Sequence, residues 1–384
     1  MRIGTRLFAL SSVGLLSAAV VLTLVACGSP QTVVCPAASS GCSCGSGSAI
    51  CLAPGSIYVT ASNQILRFSS DPGTGVLTLS ASVTTANRLG NVLAPPGTSF
   101  VYAAELASGL VGYGASGASL TPVPGSPFSG IDGGGVPSSD GKFLFVPGFS
   151  GGNVGVFSIG QDGGLNLLNP VPGVQPSGLP FESAVVFSSP HLLYVSTIVP
   201  TNVEILGYSV DSNTGVLQFL PASPIVIAAG AQELGPMVAI GSKFFYVSTV
   251  LGGKVVGLSI DTASGALTPV PGSPFTPGVY PSALASDPAG RYLYVANYID
   301  GTVSGFAVGP KGELTPVPGS PFPAGINPVS LVVDNALHLY VADIGSNDIS
   351  AYSIASSTGS LTPVPGSPFP AGNLPNAIAF SVLP

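Results

Sequence analysis

Few side chains in this 384-residue sequence can do chemistry. It holds 9 Lys and Arg, 16 Asp and Glu, 2 His, 5 Cys and no Trp, so charged residues are only 7% of the chain, against roughly a quarter in an ordinary soluble domain. Two carboxylates, Glu182 and Glu233, precede apolar runs. Either could act as general base on a water attacking a carbonyl, if burial lifts its pKa toward neutrality. The guanidinium of Arg88 would then stabilise the oxyanion. Ser is abundant, but no Gly-x-Ser-x-Gly elbow opens a helix with a nearby His to activate it. His191 and His338 read as structural. The run Gly133-Gly134-Gly135 lacks the Lys-Ser/Thr that would make it a phosphate loop. A net charge of −7 provides no basic field for nucleic acid.

The cysteines carry the other chemistry. Met1 to Arg6 bring two positive charges, residues 7–26 are apolar, and the segment ends in Leu24-Val25-Ala26-Cys27. That is a signal-peptide layout, and its end resembles a bacterial lipobox, in which the Cys is diacylated and becomes the first residue of the mature chain. The alternative is an uncleaved transmembrane anchor, since about 20 apolar residues span a bilayer. Gly28-Ser29, not Asp, follows Cys27, which resembles an outer-membrane lipoprotein. Cys35, Cys42, Cys44 and Cys51 fall within 17 residues. In an oxidising compartment they are disulfide candidates with three connectivities open; a zinc site would favour longer knuckles than this C-x-C. The expected organisation is therefore a signal peptide over 1–26, a Cys/Ser/Gly-rich tether over 27–54 and one domain over 55–384.

The elements that must position any site are written as a repeat. Leu-Thr-Pro-Val-Pro-Gly-Ser-Pro-Phe occurs identically at 120–128, 267–275, 314–322 and 361–369, the last three starting 47 residues apart. With degenerate copies, the marker Leu recurs at 77, 120, 165, 217, 267, 314 and 361. A second tracer, the pair Tyr58-Val59, Tyr102-Ala103, Phe145-Val146, Tyr194-Val195, Tyr246-Val247, Tyr294-Val295 and Tyr340-Val341, gives the same count in matching phase. Such a period means a solenoid or propeller.

In one copy, strands are predicted over 281–286, 291–297, 302–308 and 314–318, separated by turn residues such as Asp287-Pro288-Ala289-Gly290. Four antiparallel strands per repeat make a propeller blade, so the fold class is all-β, a seven-bladed β-propeller. Pro cannot donate to a ladder; alternate Pro316 and Pro318 therefore place the fourth strand at the outer edge, where they also block edge-to-edge aggregation. Gly in the third strand (Gly155, Gly207, Gly257, Gly305) is expected to let neighbouring backbones approach closely. The first copy lacks an innermost strand, whereas the chain ends in a spare one, so the C-terminal strand is expected to complete the first blade.

Tyr294-Val295-Ala296-Asn297, preceded by Asp287-Pro288-Ala289-Gly290-Arg291-Tyr292-Leu293 and followed by Gly312-Glu313-Leu314-Thr315, resembles YVTN-type repeats. More closely, the chain over about 55–384 is similar to the bacterial lactonase family, the 6-phosphogluconolactonase-like seven-bladed propellers. The resemblance implies a lactone hydrolase with His, Arg and Glu at the channel mouth, often in a Gly-Pro-Arg-His stretch opening an innermost strand. The nearest stretches here are Leu179-Pro180-Phe181-Glu182 and Gly278-Val279-Tyr280-Pro281.

Innermost strands begin and second strands end on one face, where propeller loops usually bind. Strand-opening positions supply Arg88, Asp132, Glu182, Glu233, Tyr280, Asn327 and Asn376; loops after second strands add Glu105, Asn297, Asp300, Asp343 and Asp348. Arg88 and Lys254 are the cations of this acidic mouth. It suits a ligand-binding or interaction scaffold for a small molecule or envelope partner. The alternative is a divergent sugar-lactone hydrolase using Glu182, Glu233 and Arg88. No cofactor is expected, although the carboxylate oxygens would suit a channel cation such as calcium. The expected protein is a monomer without nucleic-acid partners, held in the cell envelope by lipid on Cys27.

Overall fold

The computed structural model describes residues 55–131, 135–148, 153–168, 185–189, 192–199, 202–227, 234–241 and 243–382. The signal peptide, the tether and all five cysteines lie outside them, as do Asp132, Glu182, Glu233 and His191. Among the described residues no helix is long and apolar enough to cross a membrane.

Seven antiparallel sheets form the ring, each built on four strands. Blade one contains Gly55–Ala61, Gln64–Ser70 and Leu77–Thr84, and is completed by Pro375–Val382 from the other end of the chain. The register runs Gly55↔Val382, Tyr58↔Ala379 and Ala61↔Pro375, so the expected closure is present. Blades two to seven begin at Leu89, Val136, Val185, Leu234, Pro281 and Pro328, in chain order. Blade six has the strands Pro281–Ser286, Tyr292–Asn297, Thr302–Val308 and Leu314–Pro316, within two residues of the sequence expectation. In blade three the glycine run is followed by an innermost strand of only two residues, Val136–Pro137.

Two features were not legible beforehand. The Phe closing the repeated nonapeptide turns back onto the third strand: Phe322–Pro323 pairs with Thr302 and Val303, and Phe369–Pro370 with Asp348 and Ile349. Each outer edge is thus made in two pieces with a Pro-Gly turn between them. The third-strand glycines make room for side chains rather than for backbone. A Cβ on Gly305 would lie 2.9 Å from Val317 Cγ2 and 3.1 Å from Tyr294 Cε1, and Gly257 meets Val270 and Tyr246 in the same way.

The core is distributed around the ring. Seven apolar clusters are each shared by two neighbouring blades. Blade seven, for example, lends Tyr340, Ile349 and Ala351 to a cluster with Ile57, Val59 and Leu66 of blade one. The second strands are buried on both faces, because each sheet lies between two others, whereas the outermost strands are largely exposed. The marker aromatics Tyr58, Tyr102, Phe145, Tyr194, Tyr246, Tyr294 and Tyr340 are all fully buried, and each contributes roughly 1.5–3 kcal/mol by burial.

Candidate functional site

The channel mouth is built from one loop position repeated around the ring. In four consecutive blades the residue just before the innermost strand offers its carbonyl to the amide just after the second strand. Tyr298 N donates to Tyr280 O (3.0 Å), Ile344 N to Asn327 O (3.2 Å), Ser62 N to Leu374 O (3.4 Å) and Leu106 N to Arg88 O (3.0 Å). These carbonyl acceptors belong to blades six, seven, one and two. Tyr280, Asn327 and Leu374 have positive φ values of 60°, 56° and 53°, and each precedes the Pro that opens the strand. A left-handed residue that is not glycine stores strain; here it turns the chain sharply into the ring and aims the side chain at the rim. Adjacent innermost strands are then stitched together: Ser282 Oγ donates to Pro328 O at 2.6 Å, and Ile378 N to Ser330 Oγ at 3.2 Å.

Arg88, Tyr280 and Asn327 therefore share one register at the mouth, as the sequence suggested. Arg88 is exposed. Tyr280 packs its ring against Tyr298, centroids 5.4 Å apart, and Asn327 Nδ2 donates to Tyr298 O at 3.1 Å. Asn376 lies one residue inside its strand, and Leu374 holds the equivalent loop position. Lys254 reaches Thr276 Oγ1 at 2.7 Å.

The residues that end second strands are placed differently. Glu105, Asn297 and Asp343 are buried beneath the loops that enter the innermost strands. Glu105 Oε1 accepts from Asn87 N at 2.9 Å. Asn297 Nδ2 donates to Thr302 Oγ1 and Ser304 Oγ, and Ser304 Oγ in turn donates to Pro277 O of the covering loop. Asp343 Oδ2 accepts from Ser350 N at 3.1 Å; its Oδ1 has no hydrogen-bond partner. Desolvation, reinforced by the nearby Asp348 charge, pushes the Asp343 carboxyl up to about 7. Asp300 Oδ2 accepts from Val279 N at 2.7 Å, and Asp348 Oδ1 from Ser346 Oγ at 2.8 Å. The described carboxylates of the mouth thus hold its loops in place. Sequence position alone does not reveal this, because burial depends on the loop folded over each of them.

His338 lies on the opposite face, buried, with Nδ1 3.1 Å from Asp334 Oδ2, which is a structural role. Asp71, Asp211 and Asp261 sit in Asx turns there, each accepting backbone N–H bonds through Oδ1. A cavity of about 190 Å³ opens on the same face between blades two and three, lined by Phe100, Thr121, Pro124 and Asp162. Its one charged group, Asp162, is spent on Gly164 N at 3.0 Å. Among the described residues no group of three His, Cys, Asp or Glu side chains could hold a metal ion.

Fold and mouth together define a seven-bladed β-propeller with a polar central opening. The chain belongs to the lactonase family of such propellers: the family model described as Lactonase, 7-bladed beta-propeller, matches residues 49–367. Among solved structures, a candidate 6-phosphogluconolactonase of Bacteroides fragilis is 19% identical, with a TM-score of 0.70 over 85% of this chain and 98% of that one. The periplasmic gluconolactonase of Pseudomonas aeruginosa is 18% identical, with a TM-score of 0.66 over 86% of this chain and 99% of that one. At these identities the likeness speaks for the fold. None of the curated proteins matches the sequence.

Proposed function

We propose that this protein is an envelope-tethered propeller that binds a small sugar-like ligand, lactones and aldonic acids included, at its channel mouth. Lipid on Cys27 would hold it to the membrane, with residues 28–54 as the tether. The observation that carries the reading is the common register of Tyr280, Asn327 and Arg88 on blades six, seven and two, with Leu374 of blade one between them. It offers a cation for a ligand carboxylate or carbonyl, an aromatic face for a sugar ring and an amide for hydroxyls. Binding is favoured over turnover because the described mouth carboxylates are committed to loop groups and the described histidine is on the other face. Family membership favours the second reading, hydrolysis of a sugar lactone. There Glu182 or Glu233 would take a proton from water, the water oxygen would attack the carbonyl carbon beside Arg88, and the ring oxygen would leave as the carbonyl re-forms, taking that proton back from the glutamic acid.

Calorimetry with gluconate, and titrimetry with glucono-1,5-lactone, test both. The expected result is gluconate binding weakened at least tenfold by Arg88→Ala or Tyr280→Ala, with lactone opening no faster than in buffer. Accelerated opening that Glu182→Gln or Glu233→Gln abolishes would establish the hydrolase instead. Absence of binding and of turnover would reject both readings.

A further inference from the structure

Among the described residues, the loops that rim the polar mouth carry exposed apolar tips on five blades. Leu106, Leu251, Val279, Ile299, Ile326 and Leu374 are 60%, 64%, 51%, 62%, 62% and 39% exposed. They come from blades two, five, six, seven and one, and all lie on loops of the mouth face. Of the other exposed large aliphatic and aromatic side chains among the described residues, Val216 lies on a turn of the opposite face, and Leu79, Leu167, Phe219 and Val226 lie on the outer wall. Scattered apolar surface is ordinary, but an arc of tips along one face of five consecutive blades marks an interaction surface. A single small ligand would touch one or two of these tips. An arc of them fits something broad and flat.

We infer that this rim docks on the lipid surface to which the N-terminus is tethered, so that the mouth opens onto the headgroup layer. The inference rests on the tether reading. The chain outside the described structure ends at Gly55, where the second strand of blade one starts on the face away from the mouth. Residues 28–54 can extend to about 90 Å at roughly 3.3 Å each. A seven-residue strand is only about 23 Å long, so the tether passes the wall with length to spare and lets either face meet the membrane. The exposed aliphatic tips choose the mouth face. With Arg88 and Lys254 the cations there and a net charge of −7 that becomes −9 once Arg2 and Arg6 are removed with residues 1–26, the attraction is apolar. It should favour zwitterionic phosphatidylcholine and ignore salt, unlike a polybasic contact.

The absence of Trp gives a clean test. Single substitutions Ile299→Trp, Leu251→Trp and, on the opposite face, Val216→Trp replace exposed side chains and leave the core untouched. Each full-length protein is mixed with phosphatidylcholine vesicles carrying brominated acyl chains. The expected result is co-flotation of all three, with blue-shifted emission and at least twofold quenching of the two mouth tryptophans, unchanged at high salt, and none at position 216. Co-flotation with all three tryptophans unquenched would overturn the docking and leave the tether standing. Failure to co-float would overturn both. A blue shift at position 299 that grows with protein concentration without vesicles would assign the rim to a second copy of the chain and overturn the lipid contact.

Discussion

At the residue scale, Asp343 poses the sharpest electrostatic question. Blade six uses Asn297 in the same place, and both side chains are wholly buried. The amide donates to Thr302 and Ser304; a carboxylate can only accept, and Asp343 has Ser350 N for one oxygen and nothing for the other. A protonated carboxyl behaves as the amide does. Burial accordingly raises its pKa from 3.8 to about 7. The native state then holds a proton that the unfolded chain releases. This contribution is complete below about pH 4 and disappears as the pH climbs through 7. Asp343→Asn should remove that slope. Thermal denaturation at several pH values should find the variant more stable than the parent at pH 8, by on the order of 4 kcal/mol, and the gap closing by pH 4. Parallel profiles would mean that the carboxylate is solvated or paired.

At the scale of elements, five of the seven blades are each fastened to the next by one hydroxyl. Tyr102 Oη donates to Gly163 O, Tyr194 to Gly265 O, Tyr246 to Gly312 O, Tyr294 to Gly359 O and Tyr340 to Gly75 O, at 2.6–3.0 Å. The acceptors lie on the turn before the outermost strand of the following blade. Desolvation raises the pKa of every one of these phenols, so they stay donors. Two blades depart from the pattern. Phe145 has no hydroxyl, and Tyr58 Oη is buried without a partner, while Gly117 O takes Arg67 Nη1 at 2.5 Å instead. Tyr294→Phe leaves a buried carbonyl unsatisfied and should cost about 1–2 kcal/mol. Tyr58→Phe removes an already orphaned hydroxyl and should be neutral or slightly stabilising. Urea unfolding of the two variants decides; equal losses would mean that ring packing alone matters.

The same comparison shows how far the sequence could be read. The Tyr and Leu markers betrayed the blade count because every copy must fill the same space between neighbours, and Pro316 marked the outer edge because proline cannot donate. The Phe322–Pro323 strand escaped notice because two residues carry no periodicity. Arg88, Tyr280 and Asn327 were legible as loop residues. Asn376 was legible as a strand-opening residue, but Pro375 starts the strand, so Leu374 takes the loop position. The burial of Glu105, Asn297 and Asp343 was illegible, since each is covered by the loop that enters the innermost strand of its own blade, a contact that no periodicity marks.

At the scale of the whole molecule, ring closure concentrates stability in the last strand. Pro375–Val382 pairs with Gly55–Ala61 through seven residue pairs. It also joins two of the interblade clusters, with Ile378 in one and Ala377 in the other. Removing it opens the ring on both sides at once, exposes Ile57, Tyr58 and Val59, and leaves an unpaired edge. At about 0.5–1.5 kcal/mol for each backbone hydrogen bond, with the burial of Ile378 added, the loss rivals the 5–15 kcal/mol of about the whole net stability of a domain. The Tyr340–Gly75 bond and the His338–Asp334 pair beside it cannot compensate, because they lie at the other face of the same seam. A chain truncated after residue 374 should therefore lose cooperative melting. A synthetic peptide covering residues 375–382 should restore part of it, since the strand groove of blade one remains encoded. A truncated protein melting cooperatively near the parent's temperature would show that six blades and a three-stranded remnant suffice, and that closure sets the geometry of the mouth without holding the fold.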